Sequence, residues 1–183
     1  MAGFYEAGAV RQIATNLFYG WGYNFYRLEN QLRADDLLVR AKVGALLLQA
    51  RDAVAAAESG YRREFLPPPS REKPRPDAKA VSGAQELERM ARSIGALEGQ
   101  IRAQPVPEND RMSQRYREKV KGEAAMLLRL LQFDEWLVGQ ADMLRALVAG
   151  RDGDWLIANA ADVAEGVKAI GETLRERQAV LLG

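Results

Sequence analysis

Apolar side chains recur at steps of three and four through most of this chain, the spacing that gathers them on one face of a helix. Leu87, Met90, Ile94, Leu97 and Ile101 form one such stripe. Ser82, with Gln85 three positions later, has the form of a capping box and marks the predicted start of that helix. Leu156, Ala160, Val163, Val167, Ile170, Leu174 and Leu181 form a second stripe, with Asp154 as its predicted cap after Gly150 and Gly153. Between them, about 110 to 149 predicts a longer helix that is apolar on two sides. Tyr116, Val120, Leu127, Leu131 and Val138 line one side; Met126, Leu130, Phe133, Leu137, Leu144 and Val148 line the other. So broad an apolar surface belongs at the centre of a fold or under a second chain.

The first third keeps the same period with fewer breaks. Val10, Ala14, Leu17, Trp21, Phe25, Leu28 and Leu32 run on into Val39, Val43, Leu46, Ala50 and Ala57. Gly20 and Gly22 each weaken a helix by roughly 1 kcal/mol relative to alanine, so they predict a kink or turn. The reading is a helix over about 5–19 and a long one over about 24–64, with one unbroken helix as the alternative. Asp35 and Asp36 are cap-type residues, yet no glycine or proline parts the chain there.

Prolines mark where helices stop. Pro67, Pro68, Pro69, Pro74 and Pro76 predict an extended, polyproline-like connector over 66–78, and Pro105 and Pro107 a tighter loop over 104–110. Short connections between the later helices imply antiparallel neighbours. The 29 alanines and 22 leucines far outnumber the β-branched residues, 12 Val, five Ile and two Thr, which strengthens the helical reading. The predicted architecture is therefore all-α: one domain over 1–183, an antiparallel up-and-down bundle of about five helices with a proline-rich connector.

Composition narrows the chemistry. The chain has no cysteine and no histidine. Disulfides, thiolate metal sites and thiol catalysis are thereby excluded, along with the commonest general base and transition-metal ligand. The N-terminus lacks a basic region before its apolar stretch and does not read as a secretory signal. Gln49, Arg129 and Gln132 interrupt the best apolar runs, so no membrane span is expected and the predicted location is cytoplasmic. A formal charge of +1 gives no general attraction to nucleic acid. Residues 61–80, with six basic and three acidic groups, and 111–121, with five and one, are the two basic stretches, and both read as solvated.

Catalytic motifs fail on context. Ser70-Arg71-Glu72-Lys73 has the serine–lysine spacing of penicillin-binding enzymes, but lies in the connector instead of at a rigid helix start, without companion motifs. Asp162-Val163-Ala164-Glu165 lacks the second acidic motif that a helical Mg²⁺-dependent hydrolase presents on a facing helix. Phosphate-cradling and dinucleotide-binding loops are missing from the sequence. No cofactor, metal or catalytic residue is predicted.

Two features stand out. Asp134 interrupts the stripe of Leu127, Leu131 and Val138, which turns its carboxylate toward the interior; Asp35 and Asp36 fall at the matching phase of the first third. A buried carboxylate requires a partner, and Arg33, Arg40 and Arg129 are the arginines expected to provide it. The second feature is aromatic. Phe4, Tyr5, Phe18, Tyr19, Trp21, Tyr23, Phe25 and Tyr26 are eight of the 14 aromatics, and Glu6 and Arg11 are the only charges among the first 26 residues. Such rings fill a core or dock on another chain, because tyrosine and tryptophan combine apolar area with a polar tip.

The function expected from these features is non-catalytic. It is a helical interaction module, most simply a homodimer or a partner of another protein, using the aromatic segment. The alternative is a small-molecule binder whose pocket uses Trp21, Phe25 and Trp136 with Asp134 as polar anchor. A carboxylate- and Mg²⁺-dependent hydrolase stands third.

Overall fold

The computed structural model describes residues 31–71, 74–104 and 123–182. Among these the regular structure is entirely α-helical. The helices are α1 (Gln31–Phe65), α2 (Ala78–Ala103), α3 (Glu123–Val148), the short α4 (Gly153–Ala158) and α5 (Ala160–Leu182). The all-α expectation therefore holds for the described residues.

Helix α1 runs through Asp35 and Asp36 without interruption, so neither caps a helix. Its buried positions, Val39, Val43, Leu47, Ala50, Val54 and Tyr61, keep the steps of three, four and seven that hold one face inward. The helix stops where proline forces it to. Pro67 lacks an amide proton and disfavours helical backbone at Leu66, whose own N–H still reaches Arg62 O at 2.9 Å.

Helix α2 corrects one expectation. It begins at Ala78, one turn before Ser82, because Asp77 is the cap: its carboxylate accepts the Lys79 amide at 3.0 Å. Nothing prevents helix from starting as soon as Pro76 is passed, and Ala78, Lys79 and Ala80 are strong helix formers. Ser82 sits exposed inside the helix. The predicted stripe of Leu87, Met90, Ile94, Leu97 and Ile101 is buried throughout.

The end of α3 is closed by Gly150 at φ +67°, a left-handed conformation that glycine adopts without a Cβ penalty. Ala149 N–H donates to Arg145 O at 3.0 Å and Arg151 N–H to Val148 O at 3.3 Å, so the last carbonyls of the helix are satisfied.

A second correction follows. Asp152 is the cap, accepting the Trp155 amide at 2.8 Å, and Asp154 lies in the first turn of α4. The single last helix of the sequence reading is divided at Asn159, whose side-chain amide donates to Trp155 O at 2.8 Å. An asparagine that bonds its own backbone in this way competes with the helical pattern and bends the chain between α4 and α5.

All five helices contribute to one buried cluster, built almost wholly from aliphatic side chains. Leu47, Leu87, Ile94, Leu144, Leu156 and Ile170 are completely enclosed, each contributing roughly 1.5–3 kcal/mol through burial. The principal packing pairs are α1 with α2, α3 with α5 and α1 with α3. Helices α1 and α2 run in opposite directions. Arg40 meets Gln104, Gly44 meets Arg102, Gly95 meets Arg51, and Gly83 meets Tyr61. Helix α2 and the chain from α4 into α5 run in the same direction: Gly83 faces Ile157, Leu97 faces Gly171, and Gln104 faces Arg177. This geometry brings the end of α2 into register with the last turns of α5.

Candidate functional site

The most unusual chemistry among the described residues lies at that meeting point. Arg177 on α5 is 4% exposed and Asp134 on α3 is 9% exposed, values rare for charged groups unless they are paired. Arg177 Nε donates to Asp134 Oδ1 at 2.6 Å, a short charge-assisted bond. Arg177 Nη1 also reaches Gln104 Oε1 at 3.4 Å, and Arg40 Nη1 on α1 donates to the Gln104 carbonyl at 2.6 Å. Four helices thus each place one polar group in a single junction.

The junction has a local cause. Gln104 caps the C-terminus of α2, where backbone carbonyls lack helical partners and the helix dipole is negative. Two guanidiniums, from Arg40 and Arg177, gather at this end, and the Asp134 carboxylate offsets the charge of Arg177. The planar guanidinium forks fix the orientation of Asp134 and Gln104 through these donated bonds.

The structure corrects the expected partner of Asp134. Arg177 holds the carboxylate, whereas Arg129 is exposed on α3 and Arg40 donates to the Gln104 carbonyl. The side chain of Arg33, and those of Asp35 and Asp36, lie outside the described residues. A sequence signal for Arg177 exists. It continues the stripe of Ile170 and Leu174 and precedes Leu181 at steps of four, three and four, the same kind of interruption that marked Asp134. Two charges of opposite sign at core phase on different helices are the signature of a buried pair.

Trp136 is half-buried and meets Phe133 edge to face at 5.8 Å. Its position two residues from Asp134 places it on a different side of α3, so the two do not converge. Phe18, Tyr19, Trp21, Tyr23, Phe25 and Tyr26 lie outside the described residues, as do Phe4 and Tyr5.

A second tight junction occupies the opposite end of the α1–α2 pair. The Tyr61 ring lies against Gly83 of α2 and Gly153 of α4, and stacks at a tilt on Phe65 with ring centres 4.6 Å apart. Burial pushes the Tyr61 hydroxyl above its ordinary value, with the carboxylates of Asp154 and Asp77 adding to the shift. Glycine is required here by space: a Cβ built on Gly153 falls 2.8 Å from Tyr61 Cβ.

Among the described residues no group of three acidic side chains is placed to hold a metal ion. No described helix is long and apolar enough to cross a membrane. Compared with known protein families, with curated proteins and with solved structures, the chain matches none.

Proposed function

We propose that this chain is a non-catalytic helical assembly module, an up-and-down bundle whose proline-rich connector spans 66–78, and that it self-associates as a homodimer through its N-terminal aromatic segment. The observation that carries this reading is the distribution of rings. Among the described residues the buried cluster contains one ring, Tyr61, and in the sequence eight of the 14 aromatics are concentrated in the first 26 residues. Such a concentration of amphipathic rings, with Glu6 and Arg11 the only charges among them, is suited to an intermolecular contact. The Asp134–Arg177 pair supports the same reading, since a small-molecule anchor would need a carboxylate not already facing a guanidinium at 2.6 Å.

Sedimentation equilibrium of the whole chain, compared with a variant lacking residues 1–26, tests the proposal. A dimer that becomes a folded, helical monomer on truncation is the expected result. A whole chain that stays monomeric at high concentration refutes it, and a truncated chain that unfolds assigns the rings to the core instead.

A further inference from the structure

We infer that residues 65–71, at the start of the connector, are the surface on which the aromatic segment of a second copy docks. This inference rests on the proposed self-association and names its receiving face. Phe65 is 39% exposed, one of two large apolar side chains left open among the described residues, and Pro67, Pro68 and Pro69 beside it are exposed. Leu66 is partly buried and packs against the core cluster, so the run of prolines leaves the domain from an anchored base.

The chemistry of this stretch specifies what fits it. Each proline holds φ near −65°, and each residue preceding a proline is confined to extended backbone. Leu66, Pro67 and Pro68 all precede a proline, so the segment is held in the polyproline conformation before any partner arrives. It offers carbonyl acceptors with no amide donors across three positions and presents flat pyrrolidine faces. Surfaces that recognise such a ligand are lined with tyrosine and tryptophan, whose faces stack on proline and whose O–H or N–H groups reach its carbonyls.

This chain carries that set of rings itself. Tyr19, Trp21, Tyr23 and Tyr26 are donor-bearing rings within eight positions, and no charged residue lies among them. Phe65 and the three prolines are exposed among the described residues, which makes them available to a second chain. In a twofold dimer each copy gives rings to its partner and receives the partner's rings on its own prolines, so the contact is made twice.

Sedimentation velocity of the whole chain over a concentration series reads the inference through two variants, Pro67→Ala/Pro68→Ala/Pro69→Ala and Trp21→Ala/Tyr23→Ala/Tyr26→Ala. The proline variant is expected to keep its melting midpoint, because its three positions are exposed, and to raise the dimer dissociation constant about tenfold or more through lost preorganisation and ring contacts. An equimolar mixture of the two variants is expected to form heterodimers that retain one contact of the two. A synthetic peptide of residues 62–71 is expected to dissociate the wild-type dimer.

A proline variant that dimerises like wild type overturns the inference, as does a peptide without effect. If the chain lacking residues 1–26 is monomeric while the proline variant still dimerises, the proposed function stands and this docking surface falls. A wild-type chain that is monomeric throughout defeats both.

Discussion

Replacing Arg177 by methionine removes the guanidinium from the four-helix junction while keeping a long apolar stem. Asp134 is 9% exposed and Arg177 4%, so the carboxylate loses its charge partner in an interior where water cannot replace it. Breaking a buried pair from one side costs about 3–5 kcal/mol. The 3.4 Å contact to Gln104 adds little, being long for a hydrogen bond. For a chain of this size each kcal/mol lowers the melting midpoint by roughly 2–4 °C, which places the expected fall near 10 °C. Urea unfolding followed by circular dichroism measures the free energy, and the double variant Asp134→Leu/Arg177→Met supplies the control. Removing both charges is expected to recover most of the loss, because neither group then needs a partner. A loss below about 1 kcal/mol for Arg177→Met, the worth of a solvated pair, refutes the reasoning. A double variant no more stable than the weaker single variant refutes it equally.

Further outcomes follow from the glycines and from Tyr61. Gly153→Ala is expected to cost about 1–3 kcal/mol in thermal unfolding, since the new methyl meets Tyr61 Cβ at 2.8 Å beside the backbone of α1. Gly83→Ala is expected to be destabilising as well, since its methyl would meet the buried Tyr61 ring at 2.5 Å (hydroxyl) and 2.9 Å (Cζ) and Ile157 Cδ1 at 3.0 Å. Gly150→Ala meets no atom within 4 Å, yet its φ of +67° makes a loss of about 1–2 kcal/mol the expected result. The Tyr61 hydroxyl is raised from 10.0 in the folded chain, so its contribution to stability is complete below that pH and is lost as pH rises through the folded value. Urea unfolding across the alkaline range is expected to show Tyr61→Phe losing less stability than wild type; identical slopes would contradict the assignment.

Periodicity carried much of the described fold, and the reason is local. A stripe such as Leu87 to Ile101 reports its own burial because helical geometry alone puts those side chains on one face. Helix starts were read less well, because several residues of the right type stood near each one. Ser82 and Asp154 both have cap chemistry, but Asp77 and Asp152 stand closer to the breaks made by Pro76 and Gly150 and therefore act first. Asp134 was legible as a buried charge for the same reason the stripes were. Arg177 carries the same core-phase signal in its own stripe, but it is 43 residues away, so the pairing itself follows from the packing of α5 on α3. The division at Asn159 was hidden inside a stripe that continues in phase on both sides of it. The aromatic residues of the first 26 positions lie outside the described residues.

The Asp134–Arg177 bond also sets which alignments of the two helices are forbidden. Sliding α5 past α3 by one turn, about 5.4 Å, would bring Thr173 or Leu174 opposite the carboxylate in place of Arg177. A carboxylate this deeply buried would lose its guanidinium in such a slip, and so the salt link favours one alignment of α5 on α3 over its neighbours.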